Sequence, residues 1–517
     1  MKKFLLVTVF ISGLVSLAVE FAASRLLGNY FGTSNLVWAS IVGLILIYLT
    51  LGYFIGGSWA DRSPKFETLF KILAWAALTI GLIPIVSRPI LRIASQAFDT
   101  LTLGALFGSF TVVMILFIIP VTLLGMASPF AIRLSIDDAQ KAGKVSGRIY
   151  AISTLGSFIG TFLPVLVLVP TVGTYRTFLV LAALLLIFAL IGLFLVGRFR
   201  LLLRYSWMAV IILALFIIGV QGLDKNSEGL VYETESSYNY IQVLNQDGYT
   251  LLRLNEGQGV HSIYKPDQLN FNGPWEQVLS APFFNPSPVN PAEINRIAIV
   301  GLAAGTTARE ALAVFPNAII DGIEIDPKII EVGQKYFAME DDRLNVIVQD
   351  GRWAMTNNPN QYDIISVDAY RPPYIPWHMT TVEFFSTLQS HLSTNGVVVI
   401  NVGRAPEDRR LVDALYTTMK QVFPTVFITD LSESFNTILY ATNQQSTLKN
   451  FTDNYLQLYN LTTTPQLLLD VMASTYAGLQ ESPTPTIIFT DDLAPIEGIT
   501  NSMVLHFLLS DQLETMQ

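Results

Sequence analysis

About seven apolar runs, each near the length needed to cross a bilayer, occupy the first 223 positions of this chain. They lie at roughly 4–26, 35–58, 68–88, 104–132, 149–170, 174–197 and 205–222, the last being short. A helix needs on the order of 20 apolar residues to span the hydrocarbon layer, because only a structure that satisfies its own backbone groups is stable there. Charge is scarce to match: 14% of the 517 residues are Asp, Glu, Lys or Arg, against about 25% in soluble domains. A transmembrane helical domain over 1–223 is therefore expected.

The start, Met1-Lys2-Lys3, resembles the basic end of a signal peptide. No small-residue cleavage site follows, and the run continues past Glu20 and Arg25, so a retained helix is read. Those two residues are either a structural pair with a snorkelling arginine or a functional intramembrane site. Lys2 and Lys3, Arg62 and Lys65, then Lys141, Lys144 and Arg148, then Arg198, Arg200 and Arg204 fall on alternate loops. The positive-inside rule places those loops and the N-terminus in the cytoplasm. Seven crossings would leave the C-terminal half outside, unless one run fails to cross or the last lies along the interface. A cytosolic catalytic domain on a bacterial inner membrane is the expectation. The loop Gly56–Lys65, GGSWADRSPK, resembles the turn after the second helix of major-facilitator transporters and is read equally well as a generic polar turn.

The remaining residues read as soluble. Polar and apolar residues alternate from Tyr232 to about Phe284, with turn signals at Asp247-Gly248 and Glu256-Gly257, giving a small antiparallel β domain and linker over 224–292. From 293 to 517, strands alternate with helices: RIAIVG, AIIDGIEI, LNVIVQ, YDIISV and GVVVINV, with helices around Thr307–Phe315, Pro327–Phe337 and Thr381–Leu392. That order gives a parallel, doubly wound α/β (Rossmann-like) sheet. TVFITDL and NTILYATN add an antiparallel edge pair, and the stretch after 450 reads as mostly helical.

The first strand ends in Gly301-Leu302-Ala303-Ala304-Gly305, a turn whose small residues let a ligand approach the backbone. Glu324, followed by Ile325, ends the second strand and is placed for ribose hydroxyls; Asp350-Gly351 ends the third; Asp368 ends the fourth. Acids at three successive strand ends point jointly to a nucleotide, although each alone is equally a helix cap. A dinucleotide site fits less well, since Thr306 stands where a third glycine is preferred. No cysteine is present, the four histidines are scattered, and no metal or prosthetic group is expected. The net charge of −9 offers no footprint for nucleic acid.

These motifs resemble the spermidine synthase (polyamine aminopropyltransferase) family over about Tyr232 to Val402. SPFAIRL, GRIYAISTLGSFIGTFLPVLVLVP and TDDLAPIE (Thr490 to Glu497) resemble its membrane-embedded, multi-span members. The resemblance implies a class I methyltransferase-type Rossmann fold. It also implies binding roles for Tyr238 and Gln258 in the small β domain, for Gly301, Ala303, Ala304, Gly305, Glu324, Ile325, Asp350 and Gly351 around the nucleoside, and an amine-deprotonating base at Asp368. S-adenosylmethionine or its decarboxylated form is the implied substrate. The partners expected are that small molecule and the lipid bilayer, not nucleic acid, with a homodimer left open.

The departures are informative. The family's GGGDGG reads GLAAGTT here, so Ala304 stands where an acid is usual. The second gate-loop acid is Arg371. Trp275-Glu276-Gln277 replaces Tyr-His-Glu. A polyamine site needs negative charge, because an unpaired buried ammonium is costly. Arg371 instead suits a carboxylate, by a bidentate pair. Tyr370, Tyr374 and Trp377 are placed near a sulfonium for cation–π contact, or for plain loop packing. His378 is a weaker candidate base. The expected activity is cleavage of the γ-carbon–sulfur bond with release of 5′-methylthioadenosine, by a lyase in preference to a polyamine synthase. Methyl transfer, a degenerate ligand binder, and a transporter or sensor regulated by a nucleotide domain stay open.

Overall fold

The computed structural model describes all residues except 32–34, 99–103, 137, 219–226, 256–258, 371–374, 433 and 510–517. Contacts divide the chain into two compact units. One is Met1–Asn226 with Glu233–Tyr240; the other is Ser227–Tyr232 with Ile241–Gln517.

The first unit is helical. Its elements are α1 (Lys2–Phe31), α2 (Asn35–Arg62), α3 (Phe66–Phe98), α4 (Gly104–Gly125), α5 (Ala127–Ser135), α6 (Ala142–Leu163), α7 (Val169–Val172), α8 (Thr174–Tyr205) and α9 (Trp207–Ile217). A π-helical turn at Pro164–Leu168 joins α6 to α7. Among the described residues, seven helical stretches are long and apolar enough to cross a membrane. Their bounds follow the seven runs of the sequence to within a few residues at most ends.

Small residues set the packing, as expected where lipid removes the hydrophobic drive between helices. Gly156 and Gly160 of α6 lie against the backbone oxygens of Phe10 and Leu14 of α1, and Ser157 Oγ donates to Gly13 O at 3.1 Å. These contacts advance together, so α1 and α6 run parallel. Gly52 and Gly56 of α2 meet Thr122–Gly125 and Met126 in the same sense, making α2 and α4 parallel. At the ends of that pair Arg133 reaches Asp61 at 3.1 Å. The GGSWADRSPK turn is thus tied to α5.

Helix α8 runs against α3: Arg88 stacks over Tyr175, Ala182 lies by Gly81, and Phe70 packs on Gly192. Helix α9 runs with α3, since Trp207 meets Trp75 and Ile212 meets Gly81. The chain therefore reverses between Gly192 and Trp207, across the stretch that carries Arg200 and Arg204.

Residues Glu233–Tyr240 close this unit at one end. Glu235 accepts from Thr174 N at 2.7 Å and Thr174 Oγ1 at 2.9 Å, a carboxylate on the positive N-terminus of α8. Asn29 of α1 donates to the same carboxylate. Arg25 donates to the carbonyls of Tyr238, at 3.1 Å, and Ser236. Arg25 thus has backbone carbonyls as partners.

The second unit holds two sheets. Strands β1 (Leu230–Glu235), β2 (Tyr240–Gln246), β3 (Tyr249–Leu254) and β4 (Val260–Tyr264) form a four-stranded antiparallel meander in sequence order, with β1 running on into Glu233–Tyr240. The expected β element ends at Tyr264. Glu276–Phe284 is a buried 3-10 helix, because its near-continuous apolar run packs on all sides.

The α/β fold follows as β5 (Arg296–Val300), α10 (Thr306–Val314), β6 (Ile319–Glu324), α11 (Pro327–Tyr336), β7 (Leu344–Val348), α12 (Gly351–Thr356), β8 (Tyr362–Val367), α13 (Val382–Ser390), β9 (Leu392–Gly403), α14 (Arg410–Met419), β10 (Thr425–Asp430) and β11 (Asn436–Thr442). Helices α15 (Leu448–Tyr459) and α16 (Gln466–Ala477), the short β12 (Leu479–Gln480) and α17 (Ile496–Leu509) complete it. The sheet order is β12-β10-β11-β9-β8-β5-β6-β7, with β9 to β7 parallel and β10, β11 and β12 joined antiparallel. The strand order reverses between β5 and β8, and ligands of such sheets bind beyond the carboxyl ends at that switch point.

A Cβ at position 156 would lie 2.0 Å from Phe10 O. Replacing Gly156 by Leu should therefore part α1 from α6 and cost about 1–3 kcal/mol of overpacking. The expected readout is a melting temperature in detergent several degrees below wild type, with an unchanged value sinking the packing assignment.

Candidate active site

The switch point is built on one left-handed turn. Gly301 has φ +95, and a Cβ there would stand 2.5 Å from Asp368 O. Only glycine allows this approach without displacement. The amides of Gly301 and Leu302 both donate to Ile323 O at 2.9 Å, and Asp368 N donates to Val300 O at 2.9 Å. Strand ends β5, β6 and β8 are thereby laced together. Ala303 also takes a left-handed φ of 48, which aims the turn's backbone outward.

A cavity of about 360 Å³ opens over this turn. Gly301, Leu302 and Ala303 form its floor; Asp368 and Tyr370 enter from the end of β8, Asn401 from β9, Asn436 from β11, and His261 and Trp275 from the β4 side. Four residues expected from the sequence thus meet here: Gly301, Ala303, Asp368 and Tyr370.

Asp368 is positioned by an amide relay. Asn401 Nδ2 donates to its Oδ1 at 3.0 Å, and Asn436 Nδ2 donates to Asn401 Oδ1 at 2.8 Å. Burial raises the Asp368 carboxyl to about 6, partly offset by the Asn401 hydrogen bond. It is mostly ionised at neutral pH yet basic enough to accept a proton. Tyr370 is held on both sides: its hydroxyl accepts from Gly403 N at 2.6 Å and donates to Asn401 O at 3.2 Å. Burial pushes its phenol up, so it stays neutral.

Glu324 sits behind the turn. Its carboxylate accepts from Ala303 N at 3.0 Å and Asp326 N at 3.1 Å. Burial nonetheless lifts it to about 7. Ile325, partly exposed, follows at the strand end. Gly305 takes φ +84 and caps α10, and Gly351, packed on Val300, opens α12. Asp350 caps α12 by accepting from Trp353 N at 3.0 Å, and its second oxygen is 3.4 Å from His378 Nε2. His378 lies outside the cavity lining, and so does the exposed Trp377.

Two expected site residues are placed otherwise than the sequence suggests. Ala304 does not face the cavity: it is fully buried in an apolar cluster with Ile241, Leu252 and Ile329, and its amide donates to Ser262 Oγ at 2.9 Å. The small-domain hairpin thus covers it, and the residue exposed to a ligand is Ala303. Tyr238 belongs to the helical unit, where its carbonyl is taken by Arg25. Glu276 lies outside the cavity lining. Its buried carboxylate accepts from Phe271 N and, at 3.1 Å, from Gly273 N. Gln258, Arg371 and Tyr374 lie outside the described residues.

Other cavity residues escaped the sequence. His261 is driven down to about 4 by burial, so it is neutral, and its Nε2 is buried with no hydrogen-bond partner among the described residues. Asn401 had a signal, a polar residue ending the apolar run VVVI; Asn436 had none. The TDDLAPIE segment acts nearby: Asp491 pairs Arg352 through two bonds of 2.7 and 2.6 Å and accepts from Thr381 Oγ1 at 2.7 Å, while Arg352 donates to His378 O at 2.9 Å. It fastens the return of the loop that follows Asp368. Among the described residues no His, Asp and Glu cluster could hold a metal ion.

Part of the chain is similar in sequence to known proteins. Residues 286–449 match the spermine/spermidine synthase domain. A probable polyamine aminopropyl transferase from Bifidobacterium longum is 31% identical over 281 residues, which is 52% of this chain and 61% of that protein. A polyamine aminopropyltransferase from Vibrio vulnificus is 26% identical over 223 residues, 41% of this chain and 72% of that one. A crystal structure of a probable spermidine synthase from Corynebacterium glutamicum aligns with 51% of this chain and 99% of its own, at 18% identity and a TM-score of 0.38. The match over residues 286–449 shows that the C-terminal half of this chain carries a spermine/spermidine synthase domain.

Proposed function

We propose that the protein is a membrane-bound enzyme acting on an adenosyl sulfonium, S-adenosylmethionine or its decarboxylated form, and breaking its γ-carbon–sulfur bond to release 5′-methylthioadenosine. The observation that carries the preference for a lyase is the scarcity of acid among the described residues that line the cavity. Asp368 is the one carboxylate among its described lining residues. A polyamine brings two or more ammonium groups, each costly to bury without a partner. S-adenosylmethionine brings one ammonium and its own carboxylate.

In the lyase reaction that carboxylate attacks the γ-carbon. The carbon–oxygen bond forms as the carbon–sulfur bond breaks, and the electron pair leaves on sulfur. Neutral methylthioadenosine and homoserine lactone result with no proton to move. Such a step asks the protein for orientation and exclusion of water. The Gly301–Ala303 turn, Trp275 and Tyr370 supply walls, Glu324 suits the ribose, and Asp368 faces the ammonium. Arg371 would hold the carboxylate.

The aminopropyltransferase alternative gives Asp368 a different task. There it must take a proton from the attacking amine, for which a carboxyl at about 6 is well tuned. The likeness to polyamine aminopropyltransferases favours this reading.

Incubation of the purified protein with S-adenosylmethionine alone should yield methylthioadenosine and homoserine lactone by mass spectrometry. Spermidine from the decarboxylated form plus putrescine, with no reaction on S-adenosylmethionine, overturns the lyase in favour of the transferase.

The pH profile separates the roles of Asp368. Its carboxyl loses the basic form as pH falls through about 6. A base-dependent transferase should therefore lose kcat/KM about tenfold per pH unit below that point, and Asp368→Asn should cost about 10²–10⁴-fold. A lyase should show a kcat that is nearly flat across this range, with Asp368→Asn raising KM more than it lowers kcat.

A further inference from the structure

We infer that the chain leaves the membrane on the side opposite its basic loops, so that the synthase-like domain lies outside the cytoplasm. The inference combines the helix directions with the anchoring of Glu233–Tyr240, both within the helical unit.

One end of that unit is fixed by the start of α1, the end of α2, the start of α3 and the end of α5. Phe4 of α1 contacts Phe70 of α3, a three-residue turn joins α2 to α3, and Asp61 meets Arg133. This end carries Lys3, Arg62, Lys65, Arg133 and Lys141, and the reversal after Gly192 brings Arg204 to it. Such a concentration in short loops marks the cytoplasmic side.

The opposite end holds Asn29 at the end of α1, Arg88 near the end of α3 and Thr174 at the start of α8. Glu235 is bound to Asn29 and Thr174, and Arg25 to the carbonyls of Ser236 and Tyr238. Residues of two helices, α1 and α8, thus pin Glu233–Tyr240 to the end opposite the basic loops. Helix α9, running with α3, points the same way. After Tyr240, no helix among the described residues is long and apolar enough to cross back.

The cytosolic placement expected from nucleotide chemistry gives way here to the helix directions. If the site takes an adenosyl sulfonium, as proposed above, that cation must be supplied on the non-cytoplasmic side. The topology itself does not depend on the reaction, and its test reads no activity.

The chain has no cysteine, so single cysteines report without background. Gln445→Cys samples an exposed position of the domain, and Lys65→Cys and Lys144→Cys sample the basic loops. Intact spheroplasts treated with a membrane-impermeant maleimide should label Gln445→Cys fully and the other two at least tenfold less. All three should label after permeabilisation, which confirms that each variant is present. Labelling of Gln445→Cys that appears only on permeabilisation overturns the inference, as does equal labelling of all three in intact cells. A protein recovered in the soluble fraction overturns the spans on which it stands. Loss of methylthioadenosine release with this labelling pattern intact would count against the reaction alone.

Discussion

The soluble half depends on one close approach of backbone to backbone. Gly301, at φ +95, lets the end of β5 touch the carbonyl of Asp368 at the end of β8. Because the strand order reverses between those two strands, this contact sits where a doubly wound sheet opens a crevice. Any side chain at 301 would push the two strand ends apart. The amides of Gly301 and Leu302 would then lose Ile323 O, and the cavity floor would go with them. The position of the catalytic candidate Asp368 is thus a consequence of a residue that has no side chain.

Burial at this junction has electrostatic consequences. Asp368 and Glu324 stand within a few residues of the turn, and burial raises both, to about 6 and about 7. The sign is the same for each. The fold holds them most comfortably when neutral, and stability is lost as pH rises from their unfolded values through those figures. A cationic ligand would reverse this by stabilising the ionised forms. A positive charge placed against the turn would offset the cost of ionising Asp368 and Glu324 there.

Much of this was legible in the sequence because it rests on local rules. Apolar runs of bilayer length, strands ending in Gly, Glu or Asp, and the parallel alternation of strand and helix each have one dominant physical cause. What was not legible depends on which way a residue faces. Ala304 follows Ala303 directly, yet one is sealed under the β4 hairpin and the other lines the cavity. The local φ of 48 at Ala303 decides this, and no periodicity announces it. Asn436 reaches Asp368 only through Asn401, from a strand added antiparallel at the far side of β9. Tyr238 lies in a motif shared with the small β domain but is held by Arg25 of α1, a partner 213 residues earlier.

That last contact bears on why the two halves share a chain. An arginine in a long apolar helix is expensive unless its donors are satisfied. Here they bond the carbonyls of Ser236 and Tyr238, while Glu235 occupies the N-terminus of α8. The segment between the apolar helices and the synthase domain supplies hydrogen-bond partners that α1 and α8 would otherwise have to find elsewhere. Substituting Arg25 or Glu235 would therefore disturb the helical unit itself. The anchored segment is part of that unit's structure as well as a connection to the synthase domain.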